Sequence, residues 1–477
     1  MARVKSTRRQ FIQQTSLAAT SLFATSKYAA ANAAKALNPS ADSMILIWLP
    51  GGVDQWDTFD PKKHTPYKAG MKGSELYSTF PSIPTAADGI HLSEGLDNIA
   101  SVMDKGAILR TLTSDTKFGA IHLRAQHYMM TSYEFPAGVQ VPSMGSVVAK
   151  SLGRRDPFVP AYIDIGRDIT TADQDMLFIS QYQGPGFLGV KYAPFMVPNP
   201  EEGIPTLNAV AGMTPDRLDQ RQKYLELITG NSTKQLREAN KTKEYMQVME
   251  DARAMMDSPV KSTFDLNEES QQTIDAYKID HRFGMGCLLA RRLVETGARF
   301  VEVEYQYEPF GGFDTHENGH TRMAGMKSQI DRPIAQLVRD LDQRGLLERT
   351  LVVVMTEFGR TIADKPSAGQ EAFGFDESQT GESLVVEDER LYGHHGHFSS
   401  ANCMLFFGGG FKQGYVHGKT APEHPMLPVE DPVYLTDAYA TIYRALGIPA
   451  DQFYITEDRP FYVTKDGKGK VVEGLLA

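Results

Sequence analysis

Six apolar residues in unbroken succession, Met44 to Leu49, run straight into Pro50-Gly51-Gly52. A strand with one wet face alternates polar and apolar side chains, whereas a strand with no polar position must be covered on both faces. Such coverage belongs to a parallel sheet packed between helices, and the glycines supply a tight turn at the strand's exit. Ala107 to Leu112, Val159 to Ile165, Phe300 to Val303, Thr350 to Met355 and Cys403 to Phe407 read as further strands.

Helical spacing fills the intervals. Gly119 to Thr131, Phe264 to Glu295, His320 to Arg344 and Leu435 to Leu446 carry apolar residues every three or four positions. Thr214-Pro215-Asp216 gives an N-cap, a proline at the first helical position and an acid in the first turn. From there a polar helical excursion, about residues 214–258, runs along the flank. Strands alternating with helices predict an α/β fold with a mainly parallel, doubly covered sheet. No internal repeat is visible. Ala368 to Arg390 is acidic and aperiodic, which predicts an exposed loop over about 368–390.

The first 33 residues have a separate logic. Thr7-Arg8-Arg9-Gln10-Phe11-Ile12 precedes a short apolar stretch, Leu17 to Phe23, and then the small-x-small pattern Ala31-Asn32-Ala33. That order predicts a twin-arginine signal peptide over 1–33. It implies export of the folded chain by the twin-arginine translocase to the periplasm or beyond. The signal holds five of the 49 Lys and Arg and none of the 59 Asp and Glu, so the remainder is 44 against 59, a net of −15. This balance excludes nucleic acid as an electrostatic partner, and no later segment is long and apolar enough to span a bilayer. The two cysteines, Cys287 and Cys403, lie in apolar runs and are read as buried.

Ligands of such sheets bind beyond the carboxyl ends of the strands. Gly51-Gly52-Val53-Asp54 follows the first strand, and Thr113-Ser114-Asp115 follows the second and leads to His122 and His127. Gly311-Gly312-Phe313-Asp314-Thr315-His316 follows Val303, with His320 four residues on. Thr356-Glu357-Phe358-Gly359-Arg360 follows Met355, and Gly393-His394-His395-Gly396-His397 precedes the strand at Cys403. Seven of the twelve histidines fall in these segments, the clustering that a carboxylate–imidazole metal site produces. Each segment also has a plainer reading. Asp54 suits a turn, Asp314-Thr315-His316 a helix start, Glu357 an ion pair with Arg360, and the histidines from His394 a solvated loop.

The segment from Asp314 to Gly359 resembles the metal-binding half of the alkaline phosphatase and sulfatase superfamily. In that half an acid and a histidine follow a strand, a long helix carries an Asp (here Asp331), and a Thr-initiated apolar strand ends in an acidic motif. The whole of residues 41 to 477 resembles, more narrowly, the secreted, sulfatase-like domain-of-unknown-function 1501 family. The matching features are the twin-arginine start, Gly51-Gly52-Val53-Asp54 with Asp57 to Pro61, Cys287 to Glu295, Phe313 to His316, Thr356 to Thr361 and His395-Gly396-His397. The resemblance implies one alkaline-phosphatase-like three-layer sandwich with a mainly parallel central sheet. It also implies a hydrolase of phosphate or sulfate esters, acting on a small-molecule or polymer ester with two divalent ions that clamp its oxygens. Mixed carboxylate and imidazole ligands favour zinc or manganese for those ions.

Carried over by position, the metal ligands are Asp54, Asp314 with His316 or His320, Glu357, and His395 or His397; Arg360 is the substrate-binding residue. There are departures. Phe358 stands where many relatives carry a histidine or asparagine, His394 where nearer relatives often carry an aspartate, and His122 at the position of the oxygen nucleophile. His122 is then a catalytic nucleophile, a metal ligand or an anion contact at a helix start. The alternative is a noncatalytic envelope protein retaining the fold with an eroded, binding-only site. A third reading, a glycan-binding module, would use Trp48 and Trp56 as sugar platforms.

Overall fold

Among the described residues, nine strands form the central sheet of the computed structural model: β1 (Ser43–Trp48), β2 (Gly106–Thr113), β3 (Tyr162–Ile165), β4 (Phe195–Val197), β5 (Phe300–Glu304), β6 (Thr350–Met355), β7 (Asn402–Phe407), β8 (Tyr415–His417) and β9 (Val433–Tyr434). The structure describes residues 37–113, 121–135, 138–167, 184–207, 213–232, 236–308, 310–362 and 384–477. The export signal, Ser114, Asp115 and residues 368–383 of the expected loop lie outside these ranges. The strand order is β8-β2-β7-β6-β1-β5-β3-β4, with β8 and β9 pairing successive parts of β2. Every pair is parallel except those of β7 with β2 and β6. The reversal matters, because it puts the residues entering β7 beside the residues leaving β2 and β6: Asn402 lies opposite Leu112.

The alternation of strand side chains builds two cores. Ile45, Ile47, Val301, Val303, Val352 and Val354 pack toward one helix layer, and Met44, Leu46, Trp48, Phe300, Val353 and Met355 toward the other. The helices are α1 (His122–Thr131), α2 (Met144–Leu152), α3 (Pro215–Ser232), α4 (Leu236–Asp257), α5 (Gln271–Tyr277), α6 (Phe283–Thr296), α7 (Gly319–Gln343) and α8 (Leu435–Ala445). The first core is closed by α6 and α7, the second by α1, α2 and α8. The result is the three-layer α/β sandwich with a mainly parallel sheet that the sequence predicts. The excursion is the pair α3 and α4. Among the described residues no helix is long and apolar enough to cross a membrane. Cys287 and Cys403 are both buried and free.

Two details differ from expectation. The single helix expected over Phe264 to Glu295 is broken. The Ser270 side chain accepts the Thr273 N–H (3.1 Å) and starts α5, the chain turns over 278–282, and Gly284 lets α6 begin where a Cβ would overlap the Tyr277 carbonyl oxygen. The described end of the expected exposed loop is partly interior. Val385–Val386 pairs with Met71–Lys72, and Leu384 and Val386 pack with Met71, Leu76 and Tyr392.

The long helix α7 shows how a buried polar group fixes a layer. Met323, Met326, Ile330, Ile334, Leu337, Val338 and Leu341 form its apolar stripe. Asp331, on the same helix, accepts the N–H groups of Asn98 (3.0 Å) and Ile99 (2.7 Å) and the Asn98 side-chain amide (2.8 Å). Those backbone groups open the short helix Asp97–Ala100, so one carboxylate caps it from outside the segment. Asp331→Ala is expected to cost about 1–3 kcal/mol by leaving the donors unpaired. The reading is a lower urea midpoint with an unchanged slope.

Candidate metal centre

β1 leads into Gly51 and Gly52, whose φ values of +114° and +82° lie in the left-handed region. A Cβ on Gly51 would sit 2.6 Å from the Asp314 backbone nitrogen, so the turn needs a residue without a side chain. The turn delivers Asp54. Its Oδ1 accepts the N–H of Trp56 (2.9 Å), and its Oδ2 lies 2.7 Å from His394 Nδ1. Asp57 completes this group, with Oδ2 3.8 Å from the same imidazole nitrogen and both oxygens accepting from Thr79. All three residues are buried.

The second group gathers around Asp314, ten residues past β5. Its Oδ1 lies 3.0 Å from His122 Nε2, 2.8 Å from His316 Nε2 and 3.9 Å from His397 Nε2. One ligand atom from each of these four residues falls within 4.8 Å of the others. His122 opens α1 and His397 sits on the short strand Gly396–Phe398, which pairs with Gly359–Thr361 after β6. Glu357 supports the group from two residues beyond β6. Its Oε1 lies 2.9 Å from His122 Nδ1 and accepts from Gly51 N (2.8 Å) and Gln126 Nε2 (3.1 Å). The three imidazoles are half-buried, and Asp314 itself is buried.

The electrostatics follow from this crowding. Burial pushes the Asp314 carboxyl upward, but hydrogen bonds from His122 and His316 and the Arg360 charge outweigh it and hold the group well below the ordinary carboxylate range. Burial also opposes a charge on His394, yet Asp54 and Asp57 raise its pKa to about 10. His395 has no such neighbour; burial and the positive charge of His394 lower it to about 3.

The expected residues divide clearly. The structure brings together His122, Asp314, His316, His397 and Glu357, and it places Asp54 in the adjoining group with His394. Thr315 Oγ1 donates to the His394 carbonyl (3.3 Å), so the two groups share a seam. His320 is not at the site: its Nδ1 lies 2.9 Å from Thr79 Oγ1 and its ring stacks on Phe80 at 4.2 Å. His395 Nε2 accepts the N–H of Gly319 (3.0 Å), which ties it to the start of α7.

Arg360 requires a correction. Its guanidinium is fully buried and donates to the carbonyls of Gly51, Gly52 (3.0 Å), Thr315 (3.1 Å), His395 (3.0 Å) and Phe313 (3.3 Å), and to Asp314 Oδ1 (2.8 Å). That set engages its whole donor fork and leaves nothing for a substrate. The tryptophan platforms fail similarly, since Trp48 and Trp56 are both fully buried. The nucleophile reading of His122 is also weakened, because both ring nitrogens face carboxylates.

Asp57, His394 and Gln126 are site residues that the sequence did not assign. Gln126 had a usable signal, because four residues after His122 is the same helix face. A third carboxylate set, Asp164, Glu302 and Glu304 on β3 and β5, is ion-paired throughout to Arg167.

Residues 41–476 match the family described as Protein of unknown function (DUF1501). Three solved structures are similar in fold. Ps i-CgsB in complex with k-i-k-neocarrahexaose is 12% identical, with 88% of this chain and 73% of that chain covered and a TM-score of 0.36. The lipoteichoic acid synthase LtaP from Listeria monocytogenes is 9% identical, with 91% and 80% covered and a TM-score of 0.34. The alkaline phosphatase from the Antarctic bacterium TAB5 is 11% identical, with 80% and 94% covered and a TM-score of 0.34. No curated protein matches the chain.

Proposed function

The chain belongs to the DUF1501 family, and on that premise we propose that it is an exported, metal-dependent hydrolase of phosphate or sulfate esters. The observation that carries the reading is the convergence of three half-buried imidazoles on one oxygen of Asp314. A single carboxylate oxygen has no need of three imidazoles; around a cation they are ordinary ligands.

The donor set fits such an ion. Asp314, His122, His316 and His397 would hold one divalent cation. Asp54, Asp57 and His394 would hold a second, the imidazole offering the Nδ1 that faces both carboxylates. Zinc or manganese suits mixed carboxylate and imidazole donors. A pair of such ions supplies charge stabilisation for both the attacking and the leaving oxygen of an in-line displacement. The chain's own residues do the positioning. Glu357 holds His122 by Nδ1, Thr79 holds Asp57, and Arg360 fixes the Asp314 carboxylate from below. His122 is assigned as a ligand, because neither of its nitrogens is turned away from a carboxylate.

Location in the periplasm or outside the cell rests on the 1–33 signal alone, as does engagement of the twin-arginine translocase. The substrate, small or polymeric, is an ester of phosphate or sulfate.

The test is elemental analysis of protein folded and exported in vivo, followed by turnover of p-nitrophenyl phosphate and p-nitrophenyl sulfate. Bound zinc or manganese is expected. Dialysis against a chelator is expected to abolish hydrolysis, and the same metal to restore it. Protein without stoichiometric metal overturns the reading. One observation favours a noncatalytic alternative. Phe358, where relatives carry a ligand, packs its ring 4.9 Å from that of His122 and 4.5 Å from that of His397. Metal that stays bound while neither ester turns over selects that alternative.

A further inference from the structure

A groove of about 500 Å³ opens on the surface beside the segment that carries Asp54 and Asp57, and its charge is opposite to that of the protein. The chain as a whole has a net charge of −10. The groove is nonetheless lined by Lys62, Lys63, Arg110 and Lys419 against the single acid Asp60.

That acid acts as an internal anchor. Asp60 is buried, 3.1 Å from Lys62 Nζ and 3.4 Å from Arg110 Nε, and it accepts from Thr420 Oγ1. It aligns two cations and neutralises one charge. Arg110 is otherwise held by backbone, donating to the carbonyls of Phe59 (3.1 Å) and His91 (2.9 Å). Lys63 has no carboxylate within ion-pair distance among the described residues. The Lys419–Glu430 pair is more than 60% exposed at both side chains, so water screens it and it holds Lys419 only weakly. A positive excess therefore remains inside a concave, low-dielectric wall, which focuses its field on anions.

The wall is joined to the candidate centre. Asp60 follows Asp57 by three residues, a span of at most about 11 Å. Ser78 Oγ donates to the Trp56 carbonyl (2.6 Å) and accepts the N–H of Lys62 (2.8 Å), so the turn and the wall share hydrogen bonds. The polar, non-ionic part of the lining suits sugar hydroxyls: Ser82 offers a hydroxyl, and Gly89 offers bare backbone.

We propose that this groove is a binding subsite for a glycan chain carrying sulfate or phosphate groups, which makes the substrate of the candidate centre a polymeric ester rather than a small one. The second half of that statement rests on the hydrolase reading; the first half does not.

Lys63 and Lys419 are exposed, so Lys63→Glu with Lys419→Glu reverses two charges without disturbing the core. Calorimetry at physiological salt would use dextran sulfate, dextran phosphate and neutral dextran of one length. The wild-type chain is expected to bind one or both anionic polymers and not the neutral one, and the stronger of the two identifies the ester. The double variant is expected to bind at least tenfold more weakly. No binding by the wild type, or a dissociation constant within twofold in the double variant, overturns the subsite. Linear polyphosphate binding as tightly as the better dextran overturns the glycan assignment. If the wild type hydrolyses esters, the double variant should raise KM for the polymer and leave kcat for the aryl ester as it was. If it hydrolyses none, the hydrolase reading fails while the binding result still decides the groove.

Discussion

Arg360→Met is expected to lower stability by about 3–5 kcal/mol, the range for breaking a buried ion pair by removing one partner. The size follows from what the guanidinium touches. It takes carbonyl oxygens from the turn after β1 (Gly51, Gly52), the loop after β5 (Phe313, Thr315) and the segment before β7 (His395), together with the Asp314 carboxylate. Methionine fills a similar volume but removes the guanidinium's donors from those oxygens and leaves Asp314 with one cation fewer. Arg360→Lys is expected to recover only part of the loss, because a point charge with three donors cannot replace a planar five-donor fork. Urea unfolding followed by circular dichroism measures both. A loss below about 1 kcal/mol for the methionine variant would mean that the three loops hold together without the guanidinium.

The second large effect belongs to Asp314→Ala. It is expected to reduce metal affinity by more than about 100-fold, because even groups that merely support a ligand contribute 10–100-fold. Ester hydrolysis should fall with it. The substitution also strands the buried Arg360, so a folding defect must be separated from a ligand defect. His316→Ala makes that separation: its side chain is 25% exposed and it contacts the same carboxylate oxygen at 2.8 Å. It should lose metal and activity while its unfolding midpoint stays near that of the wild type. Full metal retention in both variants would exclude the Asp314 group as the binding site.

Much of this architecture is legible in the amino-acid sequence. Met44 to Leu49 has no polar residue, which only a doubly covered strand tolerates, and β1 is that strand. Leu351 to Met355 carries the same signature and forms one neighbour, while Phe300 to Val303, interrupted by Glu302, forms the other with that acid paired to Arg167. Local sequence could not choose between His316 and His320. They stand four residues apart, and the decision lies with Thr79 and Phe80, far away in the chain, which take the second ring. Arg360 was visible as a residue and invisible as a clasp, since its partners come from three loops that are neighbours only in the folded sheet. Asp57 was seen as part of a motif; its approach to His394 depends on a segment 337 residues later.

The pairing of β1 has a kinetic side. Met44 lies opposite Phe300 and Ser43 opposite Thr350, separations of 256 and 307 residues. The most apolar strand of the sheet is therefore synthesised long before either neighbour. Contacts this distant in sequence carry a large loop-closure cost and slow folding. A nascent chain shorter than about 300 residues presents β1 as an unpaired hydrophobic edge, the kind of surface that drives aggregation and recruits chaperones.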